Sequence, residues 1–233
     1  VHLDPVQPLP ALVAGGTGRL DAAGGTGCAD AQREVDQCRT LRDCVHRAVM
    51  SEPVPPGLRE RITAAYPGDA ICGEEMGNAP GSGAGERTWY LDPIDGTKNF
   101  VAGSFLFGTL IALLKDGEPI LGAIHHALND QLLIGAGGET RLNGTPVRVR
   151  SCERIEDALI LSSTHWGARV RDMAAYEALT QRARLYRTWG DCHGYFLLAT
   201  GYADVMLDPE MSFWDLAALI PIVEGAGGKI TDW

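Results

Sequence analysis

The chain has 233 residues, and 45% apolar with 21% charged residues is the composition of a folded protein, which excludes wholesale disorder. A formal charge of −10 and a pI near 5.0 argue against nucleic acid as the main partner, because phosphate backbones are bound by basic surfaces. A small phosphate ester stays open, since bound cations reverse the sign of a site locally.

Residues 1–30 carry Pro5, Pro8 and Pro10 and the run GGTG at Gly15–Gly18 and again at Gly24–Gly27, and they read as an irregular lead-in. A dinucleotide loop does not fit, because a G-x-G-x-x-G frame from Gly16 puts Asp21 where the third glycine belongs. Between Gln32 and Met50, Val35, Cys38, Leu41, Val45, Ala48 and Val49 recur at helical steps, which predicts an amphipathic helix. Pro53–Gly57 breaks it, and a second short helix is predicted over Leu58–Tyr66. Ala70–Gly77 reads as a short strand that runs into Glu74 and Glu75. Asn78–Glu86 reads as an exposed loop, and Thr88–Leu91 as a strand leading into Asp92–Phe100.

Phe105–Leu114 and Pro119–His126 are β-capable, with the hairpin signal Asp116-Gly117 between them. The charge-free run Asn99–Leu114 has 16 residues, short of the about 20 that a membrane span needs, so it is predicted as core. Gln131–Gly135 and Val147–Val149 extend an antiparallel sheet. A strand at Ala158–Ser162, helices near Asp172–Ala183 and at Gly194–Gly201, a strand at Ala203–Leu207 and a helix at Trp214–Gly225 follow. The pattern predicts sheets sandwiched between helices, with an N-terminal lobe of residues 31–150 and a C-terminal lobe of residues 151–233 forming one compact unit. The six cysteines form no C-x-x-C pair, and no basic segment precedes an apolar leader, so reduced thiols in a cytoplasmic protein are expected.

The chemistry concentrates in Asp92-Pro93-Ile94-Asp95-Gly96-Thr97. Pro93 holds Asp92 extended, and Gly96 permits a tight turn. Two carboxylates can then converge, with the Gly96 and Thr97 N–H groups beside them at a helix start. Carboxylates that hold hard cations, beside donors for a phosphate, make a metal-assisted phosphoryl-transfer site. An isolated D-P-x-D-G can equally be a turn whose acids only cap. Glu74, Glu75 and Asp215 add weight to the first reading, although Asp215, at the start of an apolar helix, can also be an ordinary dipole-compensating acid.

Taken together, GEE at Gly73–Glu75, DPIDGTKNF at Asp92–Phe100 and WDLAALIPIVEGAGG at Trp214–Gly228 resemble the inositol-monophosphatase-like family of Mg²⁺-dependent phosphatases. The resemblance runs from about Asp30 to Trp233. FGTLIALL at Phe107–Leu114, WGDCHGYFLLATGYAD at Trp189–Asp204 and VEGAGGKITDW at Val223–Trp233 look most like its histidinol-phosphate phosphatase branch. The resemblance implies an αβαβα sandwich, a homodimer and a small phosphate ester as substrate. Histidinol phosphate leads, and inositol monophosphate or another small sugar or nucleotide phosphate is the alternative; no nucleic-acid or membrane partner is implied.

The family's ligands carry over as Glu75, Asp92 and the Ile94 carbonyl for one Mg²⁺, and Asp92, Asp95 and Asp215 for a second. Glu75 and Thr97 resemble the groups that orient the attacking water. Asp95, Gly96 and Thr97 resemble the phosphate cradle. Asp191, Cys192 and Asp208 match positions that line the pocket for the organic part. Asp191 can instead cap the following helix, and Asp208 can be a strand-end acid facing water. Asp30 matches an outer-shell acid, but the segment before it lacks the lysine of the loop that recruits a third metal in relatives. That departure keeps open a catalytically silent descendant that binds a cation or a partner. His125 and His126 are adjacent on a predicted strand, so they face opposite sides and form no simple site; His193 lies near the pocket. Zinc and a G-x-S-x-G serine hydrolase find no supporting motif.

Overall fold

The computed structural model describes residues 56–74, 77–83, 86–164, 173–208 and 211–231. The lead-in of residues 1–30, the helix predicted over Gln32–Met50, Asp30 and Glu75 lie outside the described residues.

Helix α1 (Pro56–Ala65) opens on a proline, tolerated there because the first helical N–H has no intrahelical partner. An eight-stranded sheet follows, built from β1 (Ala70–Gly73), β2 (Gly77–Ala79), β3 (Arg87–Asp95), β4 (Gly108–Lys115), β5 (Glu118–His126), β6 (Gln131–Ala136), β7 (Glu139–Leu142) and β8 (Thr145–Val147). Its order is β2-β1-β3-β4-β5-β6-β7-β8, antiparallel throughout except for the β1–β3 pair. The short helix α2 (Thr97–Val101) leaves the end of β3. The second sheet is three parallel strands in the order β10-β9-β11: β9 (Leu159–Ser162), β10 (Leu185–Arg187) and β11 (Val205–Leu207). Helices α3 (Met173–Arg182), α4 (Asp191–Ala199) and α5 (Phe213–Gly225) complete the described chain.

Side-chain alternation on β4 explains the layering. Ile111 and Leu113 face Leu58 and Ile62 of α1, while Leu110, Ala112 and Leu114 face Phe196 and Leu198 of α4 and Leu219 and Ile222 of α5. Both faces are buried, which is why β4 reads as a continuous apolar run. The same central core takes in Leu159, Leu161 and Met206 of the second sheet, and the far side of that sheet packs Ile160 and Val205 against Tyr176 of α3. The result is the expected αβαβα sandwich. At Gly122 of β5 the sheet and α5 lie close together, for a Cβ there would stand 1.8 Å from the Ala218 carbonyl oxygen.

The hairpin at Asp116-Gly117 forms as expected, with φ of 52° and 85° at the two positions. Several boundaries differ from the sequence reading. β2 starts at Gly77, the end of the expected strand, and takes in Asn78 and Ala79 of the expected loop Asn78–Glu86. The strand expected from Phe105 starts at Gly108, and the one expected at Val147–Val149 is β8, ending at Val147. β7 was unexpected: its polar Thr140 is fully buried because its hydroxyl donates to the Ile222 carbonyl at 2.7 Å. α4 starts at Asp191 rather than Gly194, so the glycine sits inside the helix.

Candidate active site

On a regular strand, residues three apart face opposite sides. Asp92 pairs with Leu110 and Asp95 with Gly108, so three steps on β3 match two on β4. The extra residue is a bulge, and it turns Asp95 to the side of Asp92. The Thr109 hydroxyl donates to the Pro93 carbonyl at 2.8 Å and holds the bulge to β4. Gly96 then takes φ of 81°, and its hydrogen faces the Leu106 carbonyl, which a Cβ would approach to 2.9 Å. α2 starts at the next residue.

Asp215 reaches the same place from the start of α5. Its Oδ2 accepts the Ser212 N–H at 3.3 Å in a capping box, while its Oδ1 is buried and takes no hydrogen bond. The Oδ2 contact is the helix-start role expected of an acid there, and Oδ1 is the atom left for the ligand reading. Carboxylate oxygens of Asp92, Asp95 and Asp215 lie within 4.8 Å of one another. Asp92 Oδ1 accepts the Ile94 N–H at 3.0 Å, the Thr97 hydroxyl donates to the Ile94 carbonyl at 3.0 Å, and Asp95 Oδ2 accepts the Cys192 N–H.

Like charges and burial make this cluster costly to ionise. Burial first, then the charges of Asp95, Glu74 and Asp215, push Asp92 up to about 9. Burial, followed by the Asp95 charge, pushes Asp215 up to about 7. Burial pushes Asp95 up to about 6, against the opposing Cys192 hydrogen bonds. A cluster of hard oxygen donors that resists ionisation, with one orphaned buried oxygen, fits a divalent cation, whose charge would replace the protons. Of the two acids after β1, Glu74 is exposed and close enough to act on Asp92 and Asp215, while Glu75 lies outside the described residues.

A second group of polar side chains stands beside the first. Gly190, not Asp191, is the N-cap of α4, so the capping reading of Asp191 does not hold. Asp191 is the first helical residue, with φ of 52°, and its Oδ2 accepts from Asn99 Nδ2 at 2.9 Å. Its N–H donates to Ser163 Oγ at 3.0 Å, and that hydroxyl donates to Asp208 Oδ2 at 2.7 Å. Burial raises the pKa of Asp191, and the Asn99 and Ser163 hydrogen bonds oppose the rise. Cys192 sits behind the cluster with its thiol buried and its pKa pushed up by that burial. Asn99 and Ser163 were not anticipated as site residues. Asn99 lies within the recognised DPIDGTKNF run, which was its only signal; Ser163 had none.

His126 and His193 pack against each other. His126 Nδ1 lies 2.8 Å from the Phe107 carbonyl, and its ring packs edge-on against His193 and Phe196. Burial lowers His193 to about 4, with the neighbouring His126 adding to it. Among the described residues, Cys72, Cys152 and Cys192 are free thiols, as expected.

Comparisons with known proteins give the family. The chain is 36% identical over 221 residues to a bifunctional chloroplastic phosphatase of Arabidopsis thaliana, covering 91% of this chain but 64% of that protein. It is 39% identical over 178 residues to a histidinol-phosphatase of Chlorobaculum parvum, covering 76% of this chain and 68% of the relative. Its structure is similar to that of an inositol monophosphatase from Zymomonas mobilis, with a TM-score of 0.73, 29% identity and 84% of each chain covered. The sequence model of the inositol monophosphatase family matches residues 42–233, so the chain belongs to that family of phosphatases.

Proposed function

We propose that the chain hydrolyses histidinol phosphate to histidinol and inorganic phosphate, with Mg²⁺ as cofactor. The observation that carries the proposal is the convergence of Asp92, Asp95 and Asp215 within 4.8 Å, beside a second pair of acids, Asp191 and Asp208, joined through Ser163. Asp92, Asp95 and Asp215 would hold one cation, and Asp92, Glu75 and the Ile94 carbonyl another. Bound there, Mg²⁺ supplies positive charge to the phosphoryl group and to the leaving oxygen. The Gly96 and Thr97 N–H groups are assigned to the phosphate oxygens. The Thr97 hydroxyl, anchored on the Ile94 carbonyl, and Glu75 orient a water for in-line attack on phosphorus. The water oxygen bonds to phosphorus, the ester P–O bond breaks, and the proton that the water gives up is taken by the released alkoxide.

Asp191 and Asp208 suit the ammonium and imidazole of histidinol, because charge-assisted hydrogen bonds are the stronger kind. Inositol monophosphate is the second reading, favoured by the likeness to the Zymomonas mobilis structure. A silent descendant is disfavoured by the intact acid cluster. A homodimer, which rests on the family resemblance, and a cytoplasmic location, which rests on the sparse cysteines without a C-x-x-C pair, belong to the same proposal. Among the described residues, no helix is long and apolar enough to cross a membrane.

Phosphate release from histidinol phosphate, inositol 1-phosphate, an adenosine bisphosphate and β-glycerophosphate, with and without Mg²⁺, tests the proposal. Mg²⁺-dependent release, highest for histidinol phosphate, is expected. No release from any ester refutes the phosphatase reading, and preference for inositol 1-phosphate refutes the histidinol reading alone.

A further inference from the structure

We infer that Asn99 is a positioning residue that sets substrate preference by fixing the Asp191 carboxylate over the phosphate turn. The inference rests on the reading of the chain as a phosphatase of a cationic ester.

Asp191 is one of four non-glycine residues among those described with positive φ. Asp116 and Asn143 sit in two-residue hairpin turns, and Asp130 ends a 3₁₀ turn, where such φ values are ordinary. Asp191 stands at the start of a nine-residue helix, where the left-handed region has no local reason. Its surroundings hold it there. Gly190 passes so close to the loop after β9 that a Cβ would lie 2.1 Å from the Ser163 Cα. The Asp191 N–H is fixed on Ser163 Oγ, and its carboxylate on Asn99 Nδ2.

The consequence is a set distance between two ends of a site. Asn99 lies two residues after Thr97, on the short helix that begins at the phosphate turn. A Cβ on Gly96 would stand 3.2 Å from Asp191 Oδ2, so the carboxylate hangs directly over that turn. A ligand with its phosphate at Gly96–Thr97 and a cationic group on Asp191 must match this spacing. The choice of residue also matters. Asn99 donates as a neutral amide, so it aims the carboxylate without neutralising it. A lysine or arginine at the same place would pair with Asp191 and compete with an ammonium ligand.

The test is steady-state kinetics of wild type, Asn99→Ala and Asn99→Lys with Mg²⁺, on histidinol phosphate and on the uncharged ester β-glycerophosphate. Asn99→Ala should lower kcat/KM for histidinol phosphate by about tenfold, chiefly through KM, and Asn99→Lys by more. Turnover of β-glycerophosphate should stay within about twofold in both variants, which also reports that they fold. Asn99→Ser, which keeps a short neutral donor, should recover part of the loss. Preference for histidinol phosphate retained in Asn99→Ala and Asn99→Lys, or an equal loss on both esters, overturns the inference alone. Wild type that shows no preference for histidinol phosphate refutes the substrate reading, and the inference falls with it.

Discussion

Replacing Asp92 with asparagine should stabilise the metal-free protein while removing its Mg²⁺-dependent activity. Asp92 is 3% exposed, and burial with three neighbouring acids pushes its carboxyl from 3.8 up to about 9. A group whose folded pKa is raised contributes stability that is present below the unfolded pKa, near 4. That stability is lost as pH rises through the folded value, near 9. Within that window each pH unit costs up to about 1.4 kcal/mol for one group, so between pH 6 and pH 8 Asp92 alone removes on the order of 3 kcal/mol. Asp215 and Asp95, raised to about 7 and about 6, act in the same direction over narrower windows. In a chain of this size 1 kcal/mol moves Tm by ~2–4 °C, so the Asp92 share is a fall of ~6–12 °C between pH 6 and pH 8.

Thermal melts in EDTA across this range should show that fall in wild type and a flatter profile in Asp92→Asn, with the variant melting higher at pH 8. Millimolar Mg²⁺ should reverse the order. It raises the wild-type Tm by mass action, more strongly as pH rises and the carboxyls lose their protons, and leaves the variant unmoved. Phosphate release by the variant should be at background. The same pH slope in both proteins, or Mg²⁺-dependent turnover unchanged in Asp92→Asn, refutes the shared acid cluster.

Three further outcomes follow from named contacts. Thr97→Ala should lower kcat more than it raises KM, because orientation of the water is felt mainly in the transition state; a change in KM alone would make Thr97 a binding group. Asp191→Asn should lower kcat/KM for histidinol phosphate by more than tenfold and spare β-glycerophosphate. Asparagine also tolerates the positive φ, so the Tm should hold, and a loss shared by both esters would deny Asp191 the cation. Gly122→Ala should cost about 3 kcal/mol or more, read as a lower Tm with no change in KM, because the new Cβ meets the backbone carbonyl of Ala218 at 1.8 Å. An unchanged Tm would mean that α5 can move off the sheet at no cost.

The layers were legible where chemistry and period agree. Phe105–Leu114 announced a core strand, which forms over Gly108–Lys115 and is covered on both faces, and Trp214–Gly225 announced a nearly all-apolar helix, which forms over Phe213–Gly225. The edge of the large sheet was less so. Asn143-Gly144, with φ of 48° and 86°, is as strong a hairpin signal as Asp116-Gly117, yet β7 and β8 around it carry few apolar residues to claim as strands. Thr140 is buried because α5 offers it a carbonyl from residue 222, and no local pattern announces such a partner. The start of α4 was misplaced because glycine is usually punctuation, whereas Gly194 is buried inside the helix.

Within the site the same division holds: one half could be weighed from spacing, whereas Asp191 and Asp208 came only from the family resemblance and Asn99 and Ser163 not at all. Asp92, Asp95, Gly96 and Thr97 are contiguous, so their types and spacing could be weighed together. Even so, three-residue spacing on a straight strand would set the two acids on opposite faces, and only pairing with β4 reveals the bulge that unites them. Asn99 and Asp191 are 92 positions apart, and Ser163 and Asp208 are 45 apart. These meet because the central helical layer points the starts of α4 and α5 at the end of β3, and the parallel sheet brings the ends of β9 and β11 to the same edge. Strand ends and helix starts leave backbone N–H groups to be satisfied, so acids gather there for reasons of stability alone. Asp215 joins a stability role to a candidate site in one side chain: one oxygen caps its helix, and the other is buried beside Asp92 and Asp95, where the proposed cation would sit.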